Sequence, residues 1–294
     1  MANVGVAVVA ARAGSLIEPW FLGSRNENDV QGYAGTPVNS NGLTSGYRLD
    51  IGVAGAVFPR EKRYYVSVDS GSDTFTGVPH AGAYVLRSWI NDVTPPRFTL
   101  LTRRVTAGRP MIAARVTDGG SGVDPLSLVI EYRRRVLLGA ALYDPSSGLA
   151  LFPIPRSAPP VARGRYRGAA LASDNQEAKN IDQIGANILP NTTIKPVNIR
   201  GTRGPTVTWL LPLGTTCLKG RTSLTVAAAA PGKIRRVVFF DGKRRIAADR
   251  RGTLGLYSVG WQTRRVPKGF HTLRVVLESR GGTAKAVRNV KVCR

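Results

Sequence analysis

Short runs rich in Val, Leu, Ile and Tyr recur along this chain and are cut every few residues by glycine or proline, 33 Gly and 19 Pro in 294 residues. That punctuation suits many strands joined by turns and leaves little room for long helices. With 43% apolar residues the chain can build two or three modest cores. No run of about 18 apolar residues is present, so no membrane-spanning helix is expected. The apolar stretch Val4 to Ala11 has no basic region before it. A first strand in a chain cut from something longer is therefore expected there ahead of the core of a signal peptide.

Two punctuation points divide the chain. Asp92-Val93-Thr94-Pro95-Pro96 follows one strand-like run and precedes another, and paired prolines cannot join a sheet interior. Gly201-Thr202-Arg203-Gly204-Pro205 follows the irregular stretch Asn175 to Asn191. The expected units are 1–93, 94–200 and 201–294, tandem antiparallel β-sandwiches of the all-β class. A late strand opening with Gly and then a planar side chain recurs in them, as Gly82-Ala83-Tyr84, Gly164-Arg165-Tyr166 and Gly269-Phe270-His271. The strand before it also recurs, as Gly148-Leu149-Ala150-Leu151-Phe152 and Gly255-Leu256-Tyr257-Ser258-Val259. These spacings describe a repeated fold and not a short-period solenoid.

In the third unit seven strands are expected: Thr206 to Leu211, Thr222 to Ala229, Ile234 to Phe240, Lys243 to Ala248, Gly255 to Trp261, Phe270 to Ser279 and Ala284 to Cys293. Seven in so short a span is the strand density of a sandwich. Asp241-Gly242 predicts a two-residue type I′ hairpin, whose two central residues need positive φ.

The formal net charge of +24 is uneven. Residues 1–93 carry 7 Lys+Arg against 8 Asp+Glu, 94–200 carry 15 against 7, and 201–294 carry 20 against 3. In the last unit Arg235, Arg236, Lys243, Arg244, Arg245, Arg250 and Arg251 interleave with apolar residues as on the outer face of a half-buried strand. Such a face attracts anionic polymers, whether teichoic acid, acidic polysaccharide or nucleic acid. The competing reading is an Arg-rich composition that only keeps the chain soluble.

Cys217 and Cys293 are the only cysteines and bracket the third unit. A disulfide between them implies an oxidising compartment, and the alternatives are two buried thiols or a zinc site with His80 and His271, whose spacing fits no compact zinc motif. Acidic clusters give two calcium candidates, Asp174 with Glu177, Asn180 and Asp182, and Asp118 with Asp124 around a Gly-rich turn. Neither follows an EF-hand loop, and Asp and Asn also occupy turns because they cap the backbone. Cofactors other than calcium are not expected. Trp20, Phe21, Tyr33, Trp89, Trp209 and Trp261 are spread over the chain, which suits core anchors better than a carbohydrate-stacking platform. The segment Glu18 to Asp29 is an expected docking interface for a further domain.

The pattern running from Pro95-Pro96 through Asp118-Gly119-Gly120-Ser121-Gly122-Val123-Asp124 to Gly164-Arg165-Tyr166 and Ala172-Ser173-Asp174 resembles bacterial Ig-like domains of extracellular multidomain proteins. Residues 201–294 are similar, with Glu278-Ser279-Arg280-Gly281-Gly282 where the family commonly has an Asp and an Asn. Tyr64-Tyr65-Val66-Ser67-Val68 with Gly82 to Leu86 resembles a pre-peptidase C-terminal sandwich. The order of units resembles the region after the catalytic domain of actinobacterial subtilisin-like serine proteases. That resemblance implies a secreted or cell-wall-associated accessory segment, monomeric, whose partner is an upstream catalytic domain or a cell-envelope polymer, with nucleic acid not the expected one. The catalytic His-Gly-Thr and Gly-Thr-Ser-Met blocks of such proteases are missing, as are Gly-x-Ser-x-Gly and a phosphate-binding loop. The two histidines stand in a strand and a loop, so no catalytic residue is expected.

Overall fold

The computed structural model describes residues 3–10, 19–24, 33–34, 38–39, 52–59, 65–70, 84–90, 92–133, 136–175, 191–213 and 217–293. The first seven of these spans are strands, β1 (Asn3–Ala10), β2 (Pro19–Ser24), β3 (Tyr33–Ala34), β4 (Val38–Asn39), β5 (Gly52–Pro59), β6 (Tyr65–Ser70) and β7 (Tyr84–Ile90). They form two antiparallel sheets, β4-β5-β1-β7 and β3-β2-β6. The apolar N-terminal stretch is the central strand β1, paired on one side with β5 and on the other with β7.

The next strands are β8 (Arg97–Leu100), β9 (Arg104–Thr106), β10 (Ile112–Thr117), β11 (Val129–Arg133), β12 (Val136–Gly139), β13 (Leu142–Asp144), β14 (Leu149–Phe152), β15 (Gly164–Ser173) and β16 (Thr192–Thr202). One sheet runs β13-β14-β10-β8 and the facing sheet β12-β11-β15-β16-β9, in which β9 pairs parallel to β16. Two sheets of this strand order make an immunoglobulin sandwich, with the first split so that its second half joins the opposite sheet. Ile130 and Tyr132 of β11, Ile112 and Ala114 of β10, Phe98, Phe152 and Ile199 meet between the sheets. The alternation of inward and outward residues along β8 and β11 is the period-2 pattern of strands with one face on a core. Trp89 of β7 joins this core, so the N-terminal strands pack onto the second sandwich through that side chain.

The third group comprises β17 (Thr206–Leu211), β18 (Arg221–Ala229), β19 (Ile234–Asp241), β20 (Arg244–Asp249), β21 (Leu256–Gln262), β22 (Gly269–Ser279) and β23 (Gly282–Val292). The seven strands expected from the sequence are all present, with ends shifted by two residues or fewer. Sheets β17-β18-β21 and β20-β19-β22-β23 enclose Trp209, Val226, Phe239, Trp261, Leu273 and Val275.

The hairpin between β19 and β20 forms, but its turn is one residue out of the expected place. Asp241 pairs with Arg244 and with Leu273 of β22, so it belongs to the ladder and the loop is Gly242-Lys243. Gly242 alone takes positive φ, +56°, which is the type II′ pattern and not type I′. The ladder bonds to β22 outweigh the local preference of the Asp-Gly pair.

The recurrent glycines have a backbone reason. Gly164 and Gly269 open the equivalent strands β15 and β22 at φ +137° in both sandwiches. Gly148 and Gly255 have φ +72° and +82°, and each carbonyl accepts from the strand that follows the first long loop, Val116 N at 2.7 Å and Ala228 N at 2.8 Å. Only glycine adopts such conformations without strain.

Candidate functional site

Three carboxylates separated widely in sequence meet where β7 joins the second sandwich. Asp92 precedes Pro95-Pro96, Asp118 follows β10, Asp174 follows β15, and one oxygen of each lies within 4.8 Å of the others. Backbone amides hold them in place. Asp92 Oδ2 accepts from Ser121 N at 2.6 Å and Oδ1 from Thr94 N at 3.0 Å. Asp118 Oδ2 accepts from Gly120 N and Gly122 N at 2.9 and 2.8 Å. Asp174 accepts from Asn191, through the amide N–H at 2.9 Å and Nδ2 at 2.7 Å, and Nδ2 also reaches Asp92 O at 2.7 Å. Arg87 of β7 donates to Gly120 O at 3.2 Å and is the neighbouring cation. Burial pushes Asp92 up, but hydrogen bonds from the Ser121 and Thr94 amides, with those to the Ser121 and Asp174 side chains, together outweigh it and hold the carboxyl below its ordinary value. For Asp118 burial wins, helped by the charge of Asp92, and its carboxyl is raised.

This grouping differs from both acidic clusters proposed from the sequence. Asp124 turns away to cap a short 3-10 turn, its Oδ1 accepting from Leu126 N at 3.0 Å, so it does not pair with Asp118. Glu177, Asn180 and Asp182 lie outside the described residues, and Asp174 points toward Asp92 and Asp118. Spacing alone could not show this, because the three acids come from a linker and two strand ends brought together by the sandwich.

The basic residues of the third sandwich sort by position. Arg235, Lys243, Arg244, Arg245, Arg250 and Arg251 are exposed, whereas Arg236 is held by Glu278 in a two-bond pair at 2.9 and 3.0 Å. Lys243 to Arg245 sit at the hairpin tip and Arg250-Arg251 beyond the other end of β20, about 17 Å away at the strand rise per residue. That exceeds the screening length of about 8 Å at physiological salt, so the two groups do not act as one patch. β20 is an outer strand of its sheet, and charges on an outer strand oppose edge-to-edge pairing.

Cys217 and Cys293 are disulfide-bonded, which removes both from any zinc site. Cys217 lies in the connection before β18 and Cys293 just after β23, and the neighbouring Leu218 bonds Lys291 O and Cys293 N at 2.9 and 3.0 Å. The disulfide therefore fixes the β17–β18 connection to the last strand. His271 Nδ1 lies 2.8 Å from Asp241 Oδ2 and Nε2 lies 2.8 Å from Pro267 O. Both ring nitrogens thus lie against acceptors, a carboxylate and a backbone carbonyl, and no hydroxyl or thiol is among these partners. The equivalent Tyr166 makes the same reach, its hydroxyl accepting from Ala162 N at 2.8 Å, also four residues back. His271 thus has the fold role of a strand-corner tyrosine. His80 lies outside the described residues.

Trp89, Trp209 and Trp261 are buried, Trp209 edge-on to Phe239 at 5.8 Å and Trp261 to His271 at 5.7 Å. They are core anchors and form no stacking platform. Trp20, Phe21 and Tyr33 stand in β2 and β3, and the remainder of the Glu18 to Asp29 segment lies outside the described residues.

The second and third sandwiches share a further apolar cluster. Met111, Ala113, Leu149 and Leu151 point outward from the β13-β14-β10-β8 sheet and meet Leu210 and Ala227 of the β17-β18-β21 sheet. A bulge between Trp209 and Leu211 lets Trp209 face its own core while Leu210 faces the neighbour. Thr106 closes the rim: its hydroxyl donates to Ala229 O at 2.8 Å and lies 3.0 Å from the Thr206 hydroxyl, and its amide donates to the latter at 3.0 Å. Only Arg203-Gly204-Pro205 separates β16 from β17.

Residues 205–275 match a family model described as a bacterial Ig domain. No curated protein matches the chain. Among solved structures, fibronectin(III)-like modules of Clostridium thermocellum CbhA align over 30% of this chain and 94% of theirs at 19% identity, TM-score 0.26. A titin Ig tandem aligns over 68% of this chain and 97% of its own at 13% identity, TM-score 0.26. An endo-beta-1,4-mannanase from Thermotoga petrophila aligns over 31% of this chain at 18% identity, TM-score 0.28, and the chain spans 20% of that protein. Likenesses this low carry no argument about function. The strand order and the match over residues 205–275 identify Ig-like sandwiches in tandem.

Proposed function

We propose that this chain is a non-catalytic accessory segment of a secreted multidomain protein, with units 1–93, 94–200 and 201–294 that hold a neighbouring domain at a fixed distance and orientation. The observation that carries it is the contact between the second and third sandwiches. A flexible tether needs no apolar contact between its beads, whereas here outward-facing leucines of one sheet are buried against the next and the connector is three residues long. The disulfide supports an oxidising, extracellular compartment, and no described helix is long and apolar enough to cross a membrane. The finer reading, that the parent is a subtilisin-like serine protease whose catalytic domain lies upstream, rests on the sequence resemblance. The test is NMR relaxation on the whole chain. Residues 94–202 and 206–293 tumble with one correlation time if the proposal holds, and two independent times overturn it.

A second reading has its own observation. The exposed Arg235, Lys243, Arg244 and Arg245 would contact an anionic cell-envelope polymer. The β19–β20 register sets Arg235 toward Arg250-Arg251 and apart from Lys243–Arg245, and the latter group stands at a sheet edge; both facts favour the accessory role.

A further inference from the structure

We propose that Arg104, Arg165, Arg167 and Arg200 of the second sandwich form a binding face for a polyol-phosphate chain, an anionic polymer with phosphate in its backbone. The strand register carries the inference. Arg165 of β15 stands directly opposite Arg200 of β16, and Arg200 stands opposite Arg104 of β9. Their chain neighbours Tyr166, Ile199 and Val105 pack into the core, so the three arginines share the outer face, where all are exposed. Arg167, also exposed, is the next outward residue of β15, opposite Asn198. Adjacent strands lie about 4.8 Å apart and alternate residues of one strand about 6.6 Å apart. Each step is shorter than the screening length of about 8 Å, so the four act as one patch. The exposed cations of the third sandwich, divided between the two ends of β20, do not.

Like charges directly opposite on adjacent strands destabilise a sheet. The third sandwich avoids that arrangement: Arg236 of β19 faces Glu278 of β22 and binds it through two hydrogen bonds. No such partner is supplied to the arginine row. β9, β15 and β16 contain no acidic residue, and Glu131, the acid on this face, stands on β11, on the far side of β15 from Arg200 and Arg104. Among the described residues none of the four arginines has an ion pair or a side-chain hydrogen bond. Charge complementarity therefore points to an anion from outside the chain, and the guanidinium fork binds phosphate through two parallel hydrogen bonds. A polymer carrying bases fits less well, because Tyr166 packs edge-on to Tyr132 and the described strands of this face expose no aromatic ring for stacking. The equivalent row of the third sandwich is Phe270 opposite Lys291, whose ammonium lies 5.7 Å from the ring, so the arginine row is particular to the second sandwich.

This inference does not rest on the accessory reading, since a rigid and a flexible pair of sandwiches carry the same row. The test is fluorescence anisotropy of labelled poly(glycerol phosphate) with the whole chain between about 50 mM and 200 mM salt. Four phosphate contacts give a slope of log K on log salt of about −2.8, so binding weakens about 50-fold over that range. Arg165→Gln with Arg200→Gln lowers the affinity at 50 mM salt about tenfold or more and halves the slope, to about −1.4. Lys243→Gln with Arg244→Gln removes the same charge from the third sandwich and changes the affinity less than about twofold, as expected for cations outside the site. Should the first pair disturb the fold, Arg104→Gln with Arg167→Gln reads the same face from its other two positions. Equal losses in the second and third sandwiches overturn the proposal, as does a slope unchanged in the arginine variants. Tighter binding of single-stranded DNA of equal charge also overturns it, in favour of a nucleic acid as the partner.

Discussion

Replacing Leu210 with alanine tests whether the second and third sandwiches form one cooperative body. Leu210 is 0% exposed although it faces away from the core of its own sandwich. Its burial comes from Met111, Leu149 and Leu151 of the neighbour. Truncation removes three carbons, worth about 0.8 kcal/mol each by transfer, or about 2.4 kcal/mol. The cavity left behind raises the loss to about 3 to 4 kcal/mol. For a cooperative unit of about 200 residues each kcal/mol moves Tm by about 2 to 4 °C, so a drop of about 6 to 16 °C is expected. If the sandwiches did not touch, Leu210 would be an exposed side chain and its loss would stay within about 0.5 kcal/mol. Differential scanning calorimetry of the whole chain reads the difference, with the exposed Leu137→Ala as control. A fall under about 2 °C for Leu210→Ala would refute the reasoning.

Other expectations follow from single features. The Cys217–Cys293 link closes a loop with a sequence separation of 76; Cys217→Ser with Cys293→Ser costs about 4.5 kcal/mol at most in the chain-entropy model, read by urea denaturation, and a loss below about 1 kcal/mol contradicts it. Gly168→Ala drives a methyl into the Glu131 carbonyl of β11 and destabilises by about 3 kcal/mol or more, while Gly139→Ala, with open space around it, costs nothing or gains up to about 1 kcal/mol. The pH profile carries two opposite signs. Asp92, held low, contributes stability above its unfolded value that is lost as pH falls below about 4, and Asp92→Asn flattens that acid limb. Asp118, held high, contributes stability below its unfolded value that is lost as pH rises, and in calcium-free buffer Asp118→Asn flattens that limb instead. Denaturant midpoints from pH 3 to 7 check both.

The strands of the third sandwich were readable because Leu273, Val275 and Leu277 alternate with outward residues and turns bound every run. The recurrent glycines were readable as a repeat, though their cause, positive φ at the same strand entries, needed coordinates. What escaped is long-range. Asp92, Asp118 and Asp174 are joined by the sandwich and share no local motif, so proximity on the chain pointed to Asp124 and to Glu177, Asn180 and Asp182 instead. The contact between sandwiches did leave a trace, since Leu149-Ala150-Leu151-Phe152 is apolar on both faces and buried throughout. An uninterrupted apolar run in an antiparallel strand signals a second covered face, and the same holds for Val226 to Ala229. The turn at Gly242 shows the opposite limit, where pairing with β22 displaced a local preference by one residue.

The accessory role is tested most directly by binding of the intact chain to cell-wall polysaccharide, teichoic acid and DNA at about 50 mM and 200 mM salt, with residues 1–200 as comparison. The account predicts weak binding to every polyanion that vanishes at the higher salt. Saturable binding to one polymer that survives it and requires residues 201–294 would contradict the account and make the third sandwich an adhesion module.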